Sequence, residues 1–264
     1  MRVTVIMGAY NAERTVERAV LSVMHQTFSD LKMVVCDDGS SDGTFSVLKK
    51  LESQWPGKLC VIRNKTNLTV AGALNHCLEY AEGDYIAVMD ADDWSFPDRI
   101  RTEAEFLDSH QEYAYVGSAL EVDNGETTFL RTYEEYPTLD KLLRGGYPYA
   151  HPTLMVRLPV MKAAGGYDNS ASYRRCEDLE LGYRILQRGY RGYNLQAPLL
   201  RYSESPYDFI RRSRKNATLQ FLLRKARRKQ EKKPFYYDLY YCRSLIFAYL
   251  PESVRYLVKK QTRS

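Results

Sequence analysis

Four clusters of polar residues could carry chemistry in this 264-residue chain, three of them directly after an apolar run and the fourth at the start of a predicted helix. The densest in charge is Asp90-Ala91-Asp92-Asp93, directly after Tyr85–Met89. Two carboxylates separated by one residue can both approach a hard divalent cation, because Mg2+ and Mn2+ prefer oxygen ligands, and leave its other positions to diphosphate oxygens and water. A solvated acidic turn is the plainer reading. Three acids crowded against an apolar run repel one another unless a cation offsets them, which favours the metal.

A second cluster, Asp37-Asp38-Gly39-Ser40-Ser41-Asp42-Gly43-Thr44, offers acceptors for the imide N–H of a base or for ribose hydroxyls. Its later part, Ser41 to Thr44, reads equally as a turn that caps the next helix. Two adjacent acids at a strand end favour the functional reading for Asp37 and Asp38. Gly8-Ala9-Tyr10-Asn11 has small residues that let a flat ring approach, or forms only a strand-to-helix turn with Asn11 as cap. Cys176-Glu177-Asp178-Leu179 places carboxylates where one could act as a general base. On spacing alone they do no more than complement a helix dipole. His151, in Ala150-His151-Pro152, is open to a role at diphosphate, metal or acceptor, or to a structural one.

The elements that position these clusters follow from periodicity. Short β-branched runs predict strands over Val3–Met7, Lys32–Cys36, Leu59–Arg63 and Tyr85–Met89. Amphipathic stretches between them predict helices over Ala12–His25, Thr44–Gln54 and Val70–Ala81, then Pro97–Ser109. Strands over Tyr115–Gly117, Leu154–Val156 and Gly192–Leu200, a Gly/Pro/Tyr-rich loop over Gly145–Pro152 and a helix over Leu179–Arg188 complete the body. The expected class is α/β, a mostly parallel, Rossmann-like sheet flanked by helices, with each polar cluster past a strand's carboxyl end, where such sheets bind ligands.

Charge divides the chain. After residue 210, about 16 Lys and Arg face 3 Asp and Glu, although the whole chain carries only +5. We therefore expect a body over residues 1–210 and a basic, aromatic, helical extension over 211–264. The extension opens with a basic helical run, Arg211–Lys233, followed by Pro234 and seven Phe and Tyr residues up to Tyr249. A basic tail suits an anionic partner, and basic side chains beside Tyr and Phe suit lipid headgroups rather than nucleic acid. A docking helix for a protein partner, or a helix that packs its aromatics on the body, are the alternatives. Five scattered cysteines without a CxxC pair point away from zinc and disulfides and towards a reducing, cytoplasmic setting. No apolar run approaches the roughly 20 residues of a spanning helix.

Taken in order, the clusters resemble family 2 of the inverting glycosyltransferases, which have the GT-A fold, over about residues 1–205. The resemblance rests on the opening strand with Tyr10-Asn11, on Asp37-Asp38-Gly39-Ser40, on Gly83 through Arg99 with its DxD motif and Pro97-x-Arg99, and on Glu177-Asp178. It implies that Ala9, Tyr10, Asn11, Asp37 and Asp38 line a nucleoside pocket that Asp90 and Ala91 extend. It further implies that Asp90 and Asp92 engage Mn2+ or Mg2+ and the diphosphate, and that Asp178 is the base with Glu177 in support. The implied reaction is a single displacement with inversion, from a nucleotide-sugar such as a UDP-sugar to a saccharide or lipid-linked glycan acceptor. The setting it implies is polysaccharide biosynthesis on the inner face of the cell membrane, with the enzyme attached peripherally. Gly8 and Val88 depart from the proline and arginine of many relatives. The Gln-x-x-Arg-Trp motif of processive synthases is absent, so non-processive transfer is expected. Two other classes fit parts of the sequence. A nucleotidyltransferase of similar fold would want a basic, glycine-rich first loop, which Gly8–Asn11 is not. A doubly wound, non-catalytic scaffold would have no use for Glu177-Asp178.

Overall fold

The structure is a computed structural model that describes residues 2–170, 175–204, 214–251 and 254. Its first half is built on strands β1 (Val3–Ala9), β2 (Leu31–Asp37), β3 (Leu59–Arg63) and β4 (Tyr85–Asp90), all parallel, with β1 central. Along β1, Val3, Val5 and Met7 enter one core and Ile6 the other, the period-two alternation of a strand buried on both faces. The first core is closed by α1 (Val16–Met24), α2 (Thr44–Gln54) and α4 (Arg99–Ser109). The second is closed by α3 (Thr69–Leu78), α6 (Leu158–Ala164) and α7 (Glu177–Gln187).

Beyond β4 the sheet becomes mixed, in the order β3-β2-β1-β4-β8-β6-β9-β5, with β7 on the flank of β6. Strand β8 (Met155–Arg157) runs antiparallel between β4 and β6 (Tyr115–Asp123), so β6 again runs with β4. The longest pairing is parallel, between β6 and β9 (Gly192–Ser203), and is bulged where Ala119 faces Pro198. The carboxyl ends of β1, β2, β3, β4, β6 and β9 therefore share one edge. Gly192 starts β9 against the Tyr115 ring, where a Cβ would meet ring carbons at 2.0 Å. Five short elements are absent from the expectations: β5 (Trp94–Ser95), β7 (Thr128–Arg131), α5 (Leu139–Leu143), α6 and a 3-10 turn over His151–Thr153.

The first expected helix is five residues shorter than its pattern, 9 residues against 14. Ala12 and Glu13 do not join α1, because their N–H groups bond to Thr44 Oγ1 (2.8 Å) and Asp42 Oδ2 (3.2 Å), which ties the first loop to the second. The cap of α1 is accordingly Thr15 and not Asn11.

The C-terminal segment forms α8 (Arg214–Gln230) and α9 (Tyr237–Tyr249), packed on each other. The expected boundary at 210/211 and the first residues of the expected basic helix lie outside the described residues. Three arginines of α8 turn inward, two onto the body and one onto α9. Arg224 is buried and donates to the carbonyls of Leu142 (3.2 Å) and Gly146 (3.1 Å). Arg227 reaches Glu180 of α7 at 2.9 Å, and Arg228 reaches Asp238 at 2.6 Å. Among the described residues no helix is long and apolar enough to cross a membrane, and all five cysteines are free.

Candidate active site at the carboxyl edge of the sheet

The acidic cluster divides its labour. Asp90 is the last residue of β4 and only partly exposed, Asp92 is exposed, and Asp93 is fully buried. Asp93 Oδ1 accepts the Ser203 N–H at 2.9 Å, which ties the loop to the end of β9. Its Oδ2 has no partner, and burial, then the charges of Asp90 and Asp92, push the carboxyl well above the usual range. The Asp92 carbonyl accepts from Arg18 and from the Ser203 hydroxyl, each at 2.7 Å. Behind β4, buried Arg99 donates to the Val88 carbonyl at 2.8 Å and pairs with buried Glu103 at 3.0 Å. The turn is thus held from three sides, with Asp93 serving the fold and Asp90 and Asp92 placed at the edge of the sheet.

These two oxygen donors suit a hard divalent ion. No group of three or more His, Cys, Asp or Glu side chains is assembled for a metal among the described residues. An ion there would take part of its coordination shell from diphosphate oxygens and water, as the expectation from the DxD spacing requires. Asp90 sits among several charges at this edge. Burial raises its carboxyl and Asp178 adds to the rise, while His151 and Arg99 oppose it.

Those couplings bring together residues far apart in sequence. The antiparallel β4–β8 pair, preceded by a 3-10 turn at His151–Thr153, carries His151 to the end of β4. His151 Nε2 bonds the Tyr167 hydroxyl at 3.0 Å, and the phenol is pushed upward by burial and then by Asp90, Asp178 and Glu177. Glu177 and Asp178 begin α7, in the first turn as the dipole argument expects. The Tyr149 hydroxyl donates to the Asp178 carbonyl at 3.1 Å. Burial, opposed by its own N–H and reinforced by Asp178, raises the Glu177 carboxyl, whose Oε2 is buried without a partner. The neighbouring Cys176 thiol is pushed up to about 12, chiefly by burial.

On the β1–β3 side, Asp37 ends β2, fully buried, with Arg63 Nε 2.8 Å from its Oδ2. The Arg63 N–H is not aligned on that oxygen, so neither carboxylate oxygen receives a hydrogen bond. Arg63 also lies 4.4 Å from the centre of the Phe45 ring and donates to the Ser40 carbonyl at 3.1 Å. With Gly39, Ser40, Asn64 and Lys65 it lines an open pocket of about 450 Å3. Arg63 was not among the residues singled out. Its signal was a cation at the end of β3, next to an acid at the end of β2.

Asp38 and Asn11 serve the loops. Asp38 Oδ1 accepts from Asn64 Nδ2 (2.7 Å) and the Leu68 N–H (2.9 Å), while the Asp38 N–H bonds the Ala9 carbonyl at 2.8 Å. Asn11, at φ 49°, accepts the Ser41 N–H at 2.9 Å on its side-chain oxygen. Gly39 stands at φ +73°, and a Cβ there would lie 3.0 Å from the Thr66 backbone, a conformation and a fit that favour glycine. Tyr10 projects into solvent between these clips, 51% exposed. The later part of the second cluster is the turn expected of it, with Asp42 bonded to the first N–H of α2 at 3.0 Å.

Fold and site define a family 2 glycosyltransferase: the Glycosyl transferase family 2 model matches residues 4–162, and the chain belongs to that family. It is an enzyme of the GT-A fold. It is 36% identical over 254 residues to EpsE of Bacillus subtilis (strain 168), which bears a glycosyltransferase name; the match covers 96% of this chain and 91% of EpsE. A second relative is WfaP of Escherichia coli, named a UDP-Glc:alpha-D-GlcNAc-diphosphoundecaprenol beta-1,3-glucosyltransferase, 26% identical over 193 residues and 73% of each chain. Among solved structures, S. aureus TarS 1-349 in complex with UDP superposes with a TM-score of 0.66 at 22% identity, over 84% of this chain and 65% of that one. The chain spans 39% of the longer TarS structure.

Proposed function

We propose that the protein transfers a sugar, with inversion and one residue at a time, from a UDP-sugar to a hydroxyl of a saccharide or lipid-linked glycan acceptor in polysaccharide biosynthesis. The observation that carries this reading is the convergence of Asp90, His151, Glu177 and Asp178 at one edge of the sheet, where the charges of Asp178 and His151 act on the Asp90 carboxyl. The diphosphoundecaprenol in the name of WfaP and the UDP bound to TarS support the choice of acceptor and donor.

Ala9, Tyr10, Asn11, Asp37 and Asp38 bound the nucleoside pocket, with Arg63 beside Asp37, and Asp90 and Ala91 continue it towards the diphosphate. Mn2+ or Mg2+, held by Asp90 and Asp92, would offset charge on the departing diphosphate. Asp178 takes the proton of the acceptor hydroxyl. The freed oxygen forms its bond to the anomeric carbon as the carbon–oxygen bond to UDP breaks on the opposite side. Glu177 orients that base, and His151 stands beside the diphosphate path. Residues 1–210 form the catalytic domain, residues 211–264 are an extension whose helix α8 meets α7, and the enzyme works at the cytoplasmic face of a membrane bearing anionic lipid.

Calorimetric titration of UDP with and without Mn2+ tests the donor site. Asp92→Ala is expected to lose the metal-dependent part of the affinity, roughly tenfold or more. Asp178→Asn is expected to keep UDP binding and lose on the order of 10²- to 10⁴-fold in transfer rate. UDP binding that needs neither metal nor Asp92 would overturn the metal assignment, and preference for a nucleoside triphosphate would overturn the donor class.

A further inference from the structure

Helix α9 is apolar on both of its long faces. Tyr237, Tyr241 and Ala248 are buried on the inner side. On the outer side stand Phe235, in the turn that leads into the helix, Leu239 and Ile246, which are 72%, 62% and 63% exposed. At about 100° per residue these three fall on one stripe, opposite the buried set. A helix that only completes a fold needs a single apolar face, so the second face calls for a partner.

Charge identifies that partner. The segment from residue 211 carries about 16 basic residues against 3 acidic ones. Arg224, Arg227 and Arg228 are spent on the body and on α9, yet Lys229 and Lys232 remain exposed just before Phe235. Tyr236 and Tyr240 flank the stripe, also exposed, and tyrosine favours the boundary between lipid and water. A second copy of the chain would bring the same positive charge to the contact and be repelled, whereas anionic headgroups are attracted.

We propose that the outer face of α9 lies in the interface of an anionic lipid bilayer, with Phe235, Leu239 and Ile246 inserted among the acyl chains and the lysines at headgroup level. This deepens the reading of a membrane-borne acceptor. It replaces a purely electrostatic basic helix with an apolar contact assisted by charge.

The test is flotation of the full chain with phosphatidylcholine vesicles, with and without phosphatidylglycerol. The wild type is expected to float with the anionic vesicles and to keep part of its binding at high salt. The triple variant Phe235→Ser, Leu239→Ser, Ile246→Ser is expected to lose roughly tenfold or more of its partitioning. Lys229→Glu with Lys232→Glu is expected to lower binding to anionic vesicles only. UDP titration of the same samples reports folding, and separates the two readings: vesicle binding without UDP binding sinks the donor site alone. Failure of the wild type to float, or triple-variant binding equal to wild type, would overturn the proposal. So would a wild type that self-associates through this face, with the triple variant monomeric and vesicle binding unchanged.

Discussion

Buried carboxylates set the energetics at the scale of single residues. Glu103 is wholly buried on α4, and burial raises its carboxyl to about 7, against the pull of Arg99. A carboxyl raised in the folded state contributes stability that is complete below its ordinary range, near pH 4.3, and is lost as pH rises through about 7. Urea unfolding at about pH 5 and about pH 8 should therefore show Glu103→Gln removing a decline on the order of 3 kcal/mol. An unchanged decline would mean that the Arg99 pair already compensates for burial. Asp37 differs, because Arg63 brings a cation without an aligned N–H, leaving both oxygens able to accept from a ligand.

At the scale of elements, α7 links the site to the C-terminal helices. Its first turn presents Glu177 and Asp178 to the site and, through Glu180, meets α8. Glu180, almost fully buried, holds Arg184 at 2.5 Å and Arg227 at 2.9 Å, and the Tyr183 hydroxyl donates to Glu231 at 2.5 Å. Removing one member of a buried ion network leaves its partners desolvated and unpaired. Glu180→Ala should lower the unfolding free energy by about 3 kcal/mol and speed amide exchange along α8. Glu105→Ala, at an exposed pair with Arg101 3.9 Å apart, should leave both unchanged. Exchange in α8 that stays at the wild-type rate in Glu180→Ala would show that α8 docks by its apolar contacts alone.

For the whole molecule, the C-terminal helices are part of the second core, since Leu223 and Tyr237 pack in the cluster that holds Leu142, Leu179 and Tyr183. A chain ending after residue 213 should therefore melt lower by on the order of 10 °C and expose apolar surface, read by thermal unfolding and dye binding. Retention of the full melting temperature would make the extension a true appendage. The same helices present α9 outward, so one segment both completes the fold and offers the outer face to lipid.

The sequence by itself determined the four parallel strands, because β1, β2 and β4 are buried on both faces and all four read as short, largely apolar runs. It also located the polar clusters, since parallel strands deliver their carboxyl ends to one edge. Strands β5 and β7 were not legible, because two to four residues carry no period and their pairing is set by distant partners. Side-chain allegiance was equally hidden: that Asp38 and Asn11 bind neighbouring loops, that Asp93 faces Ser203 and that Arg63 joins Asp37 depends on contacts about 26 to 110 residues apart. The tail's charge could be counted in the sequence, but its direction could not. Only tertiary packing decided that Arg224, Arg227 and Arg228 of α8 turn inward to carbonyls and carboxylates, because burying those groups unpaired costs more than ordering the arginine side chains.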